Sequence, residues 1–544
     1  MQTEPPGFLS LSLSLSLTEK NKPKTCRSMI CRTQICRSNN QWCTLISVTL
    51  FAVAFVAAVS YASNRLSLLS LPSSLSPWRW PSSSLSSFSI HSFNLHHQPP
   101  PLPPPLNPKT ALYSMFHCDS DACKKQNGKM NKVVSRLIKE LKDETLLRRS
   151  KKKKRDEKLE KVEAELARAR VLIRDAGTNL SRSSYPLHDR DYVPHGSIYR
   201  NPFMFHRSYL LMEKLFKIYI YKEGERPLFH TGPTTNIYSM EGLFLNSIEN
   251  DHNFKVSDPD KAHVYFLPFS VVMILDTLFD PIIRDKAVLE RVIGDYVHVV
   301  SSRYPYWNRS LGSDHFMLSC HDWGPRATWY VHSLYFTSIR LLCNANTSEY
   351  FNPRKDASIP EINLLRTETT TITGGLPPSN RTNLAFFAGG EFHGKIRPLL
   401  FQHWKDKDED IQVYEKVPNN VSYLDTMKRT RFCICPSGFE VASPRIVEAI
   451  YAECVPVLIS QNYVLPFSDV LNWDAFSVQV SVSEIPNLKR ILLGISEDKY
   501  KKLQENVKKV QRHFLVNNPA KRYDVYHMIL HSLWLRRLNL QIYS

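Results

Sequence analysis

The sequence predicts an α/β protein built on parallel sheets, held behind one membrane-crossing segment and a stem. Three observations carry that expectation. First, Arg431–Ser460 reads RFCICPSGFEVASPRIVEAIYAECVPVLIS. An apolar run, a Pro-Ser-Gly break, an amphipathic segment and a second apolar run make a βαβ unit, the building block of a parallel sheet. Second, short apolar runs at Leu215–Tyr221, Ala262–Ser270 and Leu384–Gly390 alternate with helical segments, the order that produces parallel α/β layers. Third, Trp42–Ala62 carries no charge and is about the length, ~20 residues, that spans a bilayer as a helix.

Met1–Gln41 is polar and basic apart from a Leu/Ser repeat. Its basic residues precede the apolar run and predict a cytoplasmic N-terminal tail over 1–41, with a signal anchor over 42–62. A cleaved signal peptide is the alternative, but the run is long and starts late for one. The net charge of +19 invites a nucleic-acid reading, and its distribution excludes that partner. Met1–Arg200 holds 31 basic and 15 acidic residues, whereas Asn201 onward holds 39 and 36. The basicity belongs to tail and stem, with no zinc-finger or RNA-binding pattern beside it.

Residues 63–206 read as the stem. Ser63–Thr110 is a Ser- and Pro-rich spacer with no capacity for a packed core. Leu159, Val162, Leu166, Ala169, Ile173 and Ala176 follow a 3,4,3,4,3 spacing, a short coiled-coil seam. The seam offers a homo- or hetero-dimer contact; a surface helix packed on the domain is the alternative. The neighbouring Lys151–Lys154 run reads as a solvated face. Sequons at Asn179, Asn308, Asn346, Asn380 and Asn420 all follow the apolar run and agree with a lumenal location. Of 11 cysteines, those beyond the anchor would lie where disulfides are allowed. Cys433 and Cys454 also read as simple buried apolar residues.

The globular part begins near Arg207. A strand is expected at Leu215–Tyr221, a helix at Thr234–Ile248 and a strand at Ala262–Ser270. His315–Gly324 (HFMLSCHDWG) is an apolar run ending in the polar pair His321-Asp322. Such a pair at the carboxyl end of a strand faces the cleft of a Rossmann-like domain. Tyr350–Thr382, rich in Pro, Thr and Gly, reads as a hinge. Leu384–Gly390 follows as a strand, then Gly394–Arg397 (GKIR), whose cations sit at the start of a helix over Pro398–Trp404.

In Arg431–Ser460, Ser443 is the expected N-cap and Pro444 the first helical residue. A ligand in a βαβ unit sits beyond the first strand, at the helix N-terminus, where free N–H groups favour phosphate. Arg445 would add a bidentate donor, and Glu448, on the same face, would accept from a ribose hydroxyl. The bland reading is an exposed i,i+3 Arg445–Glu448 pair. Glu497–Phe514 and His527–Leu540 read as further helices, with Arg536-Arg537 on the surface.

The wording CPSGFEVASPRIVEAI…CVPVLIS, with HDWG at His321–Gly324 and HG-x-x-R at His393–Arg397, resembles the exostosin-like glycosyltransferases in their plant cell-wall branch. The resemblance covers roughly Arg207–Leu535. It implies a GT-B fold: two Rossmann-like domains facing a cleft, an acceptor domain over 207–375 and a nucleotide-sugar domain over 376–544 whose last helix crosses back. It implies inversion and a nucleotide-diphosphate sugar donor, expected to be a UDP-sugar, with no metal and no other cofactor. Arg397, Ser437, Gly438, Glu440, Arg445 and Glu448 would hold that donor. An inverting transfer needs a base for the acceptor hydroxyl, and His321 and Asp322, with His315, are the candidates. The bland reading has the histidines bonded to backbone and Asp322 capping a turn. Asp258-Pro-Asp260 has the D-x-D spacing of metal-dependent sugar transferases, but Asp-Pro-Asp is ordinary turn chemistry. Glu453 departs from the family, which has Gly before Cys454, and a local effect on helix capping is expected.

The chain therefore reads as a Golgi type II membrane glycosyltransferase acting on a polysaccharide or glycan hydroxyl in cell-wall synthesis. Readings from other classes are a non-catalytic lumenal partner of an active transferase and a secreted lectin-like protein.

Overall fold

The computed structural model describes residues 157–178, 191–329, 331–365 and 372–542, with 139 and 189. The tail, the Trp42–Ala62 anchor, the Ser/Pro spacer, Lys151–Lys154 and the Asn179 sequon lie outside the described residues. Among the described residues no helix is long and apolar enough to cross a membrane.

Two all-parallel sheets organise the chain. The first has the order β2-β1-β3-β4-β5-β6. Its strands are β1 Ile218–Ile220, β2 Lys255–Val256, β3 Val264–Phe266, β4 His315–Ser319, β5 Ile339–Leu342 and β6 Ala357–Ser358. The second has the order β11-β10-β9-β7-β8. Its strands are β7 Asn383–Ala388, β8 Ile411–Tyr414, β9 Thr430–Pro436, β10 Val455–Ile459 and β11 Val478–Gln479. Inner strands such as β4 and β10 are buried along their whole length, because helices cover both faces of a parallel sheet. Successive residues therefore feed different cores. Ile218, Ile220, Val264 and Phe266 join the large core that runs on into the second sheet. Tyr219, Tyr221, Tyr265 and Met317 join a smaller core on the opposite face.

Five helices frame the site and the core behind it: α1 (157–176), α2 (Met240–Glu249), α3 (Ile396–Trp404), α4 (Arg445–Tyr451) and α5 (Val525–Asn539). The βαβ unit is β9, α4 and β10, with Cys433 in register with Pro456. Its helix opens differently from expectation. Pro444 occupies the cap position of α4 with no side-chain cap bond, and the Ser443 hydroxyl is buried without a partner. The expected hinge also shortens, because β6 pairs with β5 inside it.

Cys433 and Cys454 are joined by a disulfide that staples β9 to the start of β10, so they are not merely apolar core residues. Cys320 pairs with Cys343 across the ends of β4 and β5, and Cys435 is buried and free.

Three further expectations change. The α1 seam faces this same chain: Leu159, Leu166, Ala169, Ile173 and Ala176 are buried, and Leu166, Ala169 and Ile173 join the large core. The Arg170 guanidinium donates to the Leu538 and Leu540 carbonyls at 2.6 and 2.7 Å. Arg536 and Arg537 are inside rather than on the surface, because α5 is buried on nearly every side. α5 packs on β5 and β6 of the first sheet. Arg536 ties the Asp356 carbonyl beside β6 (2.6 Å) to Asp469 after β10 (3.0 Å), while Arg537 joins the His263 carbonyl to Glu163 of α1. Finally, Asn308, Asn380 and Asn420 are exposed, but Asn346 is only 9% exposed and its amide oxygen accepts from Ser348.

Candidate active site

A cleft of about 710 Å³ lies between the two sheets. It is lined by the segments that leave β4, β6, β7, β8 and β9 at their carboxyl ends, the position where parallel sheets hold ligands. Asp322 follows β4; Glu361 and Asn363 follow β6; Gly389, His393 and Arg397 follow β7. Lys416 follows β8, and Gly438, Glu440, Arg445 and Glu448 follow β9.

The wall from the second sheet is cationic. The guanidinium groups of Arg397 and Arg445 lie 5.8 and 5.2 Å from the Phe387 ring centroid. Arg445 donates through Nε to the Ala388 carbonyl at 3.1 Å. Arg397 is buried with its Nε unpartnered, and burial followed by the neighbouring Arg445 charge lowers it to about 10. Among the described residues neither arginine forms an ion pair. Two like charges held together with no carboxylate in ion-pair contact are poised for an anion. Glu448 stands beside them, accepting from Tyr423 Oη at 2.8 Å and Asn363 Nδ2 at 3.4 Å. The bland i,i+3 Arg445–Glu448 pair does not form.

Two glycines bring these loops together. Gly394 has φ +89°, and a Cβ on it would lie 2.0 Å from the Gly438 carbonyl oxygen. A Cβ on Gly438 would lie 2.6 Å from the His393 ring and 3.0 Å from Arg397. The backbone contact and positive φ at Gly394 admit only glycine, whereas Gly438 faces side chains. Ser437 sits apart from the cleft: its hydroxyl donates to the Val441 carbonyl at 3.2 Å and closes the loop. Glu440 lines the cleft and accepts from Asn344 of the first sheet's side. Burial, then the Glu349 charge, raises its carboxyl to about 7.

On the opposite wall Asp322 accepts from Tyr238 Oη at 3.2 Å. His321 lies beside it outside the cleft lining, its ring 4.9 Å from that of Tyr238. The Trp323 N–H donates to His321 Nδ1 at 2.9 Å, so the neutral ring carries its proton on Nε2. Burial also lowers the His321 pKa. His315 is remote: it is fully buried on β4 between the Tyr221 and Tyr265 rings, bonded to Tyr221 Oη and Asp314, each at 2.8 Å. Asp258 caps a short turn through the Asp260 N–H, and Asp260 receives Tyr306 Oη and Lys158, which is the turn reading.

Sequence reasoning missed several residues that build this wall. Glu241 of α2 is buried under the β4 loop. Its carboxylate accepts from the Ser270 and Ser319 hydroxyls and the Val272, Cys320 and His321 N–H groups. That fan fixes the loop that carries Asp322. Asn344, next to the Cys320–Cys343 bridge, donates to Glu440 and accepts from the Val441 N–H at 3.3 Å, clamping the two walls. Glu361 is 7% exposed in the cleft, and burial raises its carboxyl to about 8, with Asp322 the largest charge contribution. Nothing in the sequence marks Glu361, an acid in a segment that reads as hinge.

Loops from two parallel sheets around one cleft, with an arginine pair on one wall and carboxyls on both, define a two-lobed α/β protein. The exostosin GT47 domain model matches residues 212–495, and the chain belongs to that family of glycosyltransferases. A probable glycosyltransferase of Arabidopsis thaliana is 69% identical over 70% of this chain and 82% of its own length. A second from the same plant is 58% identical over 71% of this chain and 73% of its own. A probable beta-1,4-xylosyltransferase of Arabidopsis thaliana is 26% identical over 58% of this chain and 81% of its own. The crystal structure of Acinetobacter baumannii MurG is similar at TM-score 0.21 and 10% identity, over 38% of this chain and 71% of its own.

Proposed function

We propose that the chain is an inverting, metal-independent GT-B glycosyltransferase of the Golgi lumen, using a UDP-sugar to extend a cell-wall polysaccharide or glycan. The observation that carries the reading is the pair Arg397 and Arg445, guanidinium groups in the cleft with no carboxylate partner among the described residues. The donor diphosphate lies against them, and Glu448 takes a ribose hydroxyl. Asp322 is the base. His321 does not compete, because its Nδ1 is occupied by the Trp323 N–H. As the acceptor oxygen attacks the anomeric carbon from the Asp322 side, its proton passes to the Asp322 carboxylate. The bond from that carbon to the diphosphate oxygen breaks, and the electron pair leaves on the nucleoside diphosphate. The two guanidinium groups stabilise that developing charge in place. Two disulfides and three exposed sequons among the described residues favour an oxidising, lumenal compartment.

Calorimetric titration of UDP-sugars tests this. Arg397→Ala and Glu448→Ala should each weaken donor binding about ten- to a hundredfold, the worth of ~1.5–3 kcal/mol for a hydrogen bond to a charged group. Asp322→Asn should retain binding and lose turnover. Donor hydrolysis in the presence of a chelator is expected. Unchanged donor affinity in both Arg397→Ala and Glu448→Ala would refute the donor site, and binding without turnover in the unaltered chain would favour a partner role.

A further inference from the structure

Two large aromatic rings stand open to solvent beside the cleft. Phe439 is 69% and Phe392 80% exposed. Each follows the carboxyl end of a strand, β9 and β7, and each is a chain neighbour of residues that line the cleft: Gly438 and Glu440 for Phe439, His393 for Phe392. Their loops are bolted together, because a Cβ on Gly394 would lie 2.0 Å from the Gly438 carbonyl oxygen and 2.9 Å from the Phe439 nitrogen. The Phe439 ring packs on His393 with centroids 4.4 Å apart.

The surroundings set this rim against the loop that carries Asp322. Glu440, next to Phe439, is held by Asn344, whose amide also approaches the Asp322 carbonyl at 3.5 Å. The Phe439 loop thus abuts the loop that carries the proposed base.

We propose that Phe439 and Phe392 form a stacking platform for the acceptor, a neutral polysaccharide whose sugar rings lie on them by their C–H faces. This rests on the transferase reading above. A sugar ring has an apolar face and a polar rim, and an exposed aromatic ring matches the face while leaving the hydroxyls in water. Neutrality follows from the carboxyls of Asp322, Glu349 and Glu440, which act on one another at the same place. A chain of uronic acids brought there would add like charge to like.

Affinity electrophoresis and saturation-transfer NMR on the full-length protein in detergent decide the matter. The probes are neutral xylo-, manno-, galacto- and xyloglucan oligosaccharides, polygalacturonate and UDP. Phe439→Ala and Phe392→Ala should each weaken binding of a neutral oligosaccharide about two- to tenfold, the range of an aromatic pair interaction. Phe439→Tyr should retain it, and UDP affinity should not change. The proposal is overturned if the double alanine variant binds the oligosaccharide as the unaltered chain does. It is also overturned if UDP affinity falls in step, which assigns the rings to the nucleotide, or if polygalacturonate binds best. A chain that binds UDP and no glycan sinks the platform alone; one that binds neither sinks the transferase reading instead.

Discussion

At the scale of single residues, Glu361 sets the electrical state of the cleft. Four charged groups act on it: Asp322 and Glu448 push its pKa further up, while Arg445 and Arg397 pull it down, and burial outweighs them all. With its carboxyl raised to about 8, Glu361 is neutral at pH 7. A third ionised carboxylate there would oppose a diphosphate, so proton loss above pH 8 should weaken UDP-sugar binding. Titrations from pH 6 to 9.5 should show that fall, and Glu361→Gln should abolish it. Stability carries the same sign. Between the unfolded carboxyl value of 4.5 and about 8 the folded chain holds a proton that the unfolded chain has released. Stability therefore falls as pH rises through that window, by about a few kcal/mol. Melting temperatures of Glu361→Gln should lack that slope; an identical slope in both proteins would contradict the assignment. That Asp322, Arg397, Gly438, Glu440, Arg445 and Glu448 line one cleft was legible in the sequence, because each follows an apolar strand or lies in a recognisable motif. Glu361, Glu241 and Asn344 were not, because their roles depend on which distant segment packs against them.

At the scale of elements, the end of α4 holds a testable strain. Glu453 sits at φ +54°, the left-handed region that favours glycine. Its carboxylate pairs with Lys508 at 3.1 Å and takes Gln504 at 3.4 Å. Left-handed backbone costs a residue with a side chain about 1 kcal/mol or more, and a partly exposed ion pair returns about as much or less. Glu453→Gly should thus stay within about 1 kcal/mol of the unaltered protein, while Glu453→Ala, which loses the pair and keeps the strain, should fall about 1 kcal/mol below it. Thermal unfolding of the three proteins separates backbone from side chain. The βαβ unit was legible to within a residue or two, because β9 and β10 are unbroken apolar runs. The start of α4 was not. Ser443 had the right chemistry for a cap, but its hydroxyl is buried away from the helix N–H groups. Strand ends blurred likewise: the expected Leu215–Tyr221 contracts to Ile218–Ile220, because Leu215 ends the preceding helix and Phe216, its cap, is as buried and apolar as a strand residue.

At the scale of the whole molecule, the α1 heptads raised a choice that spacing alone does not make. A 3,4 stripe suits a second helix and a domain surface equally, since both hide one face. The pairings of Arg170 and Arg537 decide it: guanidinium groups on both sides of the contact bind this chain's own carbonyls and Glu163. α1 therefore closes the catalytic unit over the end of α5, and α5 in turn ties β6 to the second sheet through Arg536 and Asp469. Leu166, fully buried at the centre of the stripe, tests the arrangement. Leu166→Ala should cost about 2–5 kcal/mol, the range for a leucine lost from a packed core. Light scattering after size-exclusion chromatography should give the same molar mass for both proteins. A change of mass with an unchanged melting temperature would return the stripe to an intermolecular coiled coil. A drop in melting temperature at constant mass would make α1 part of the fold that holds the cleft walls in place.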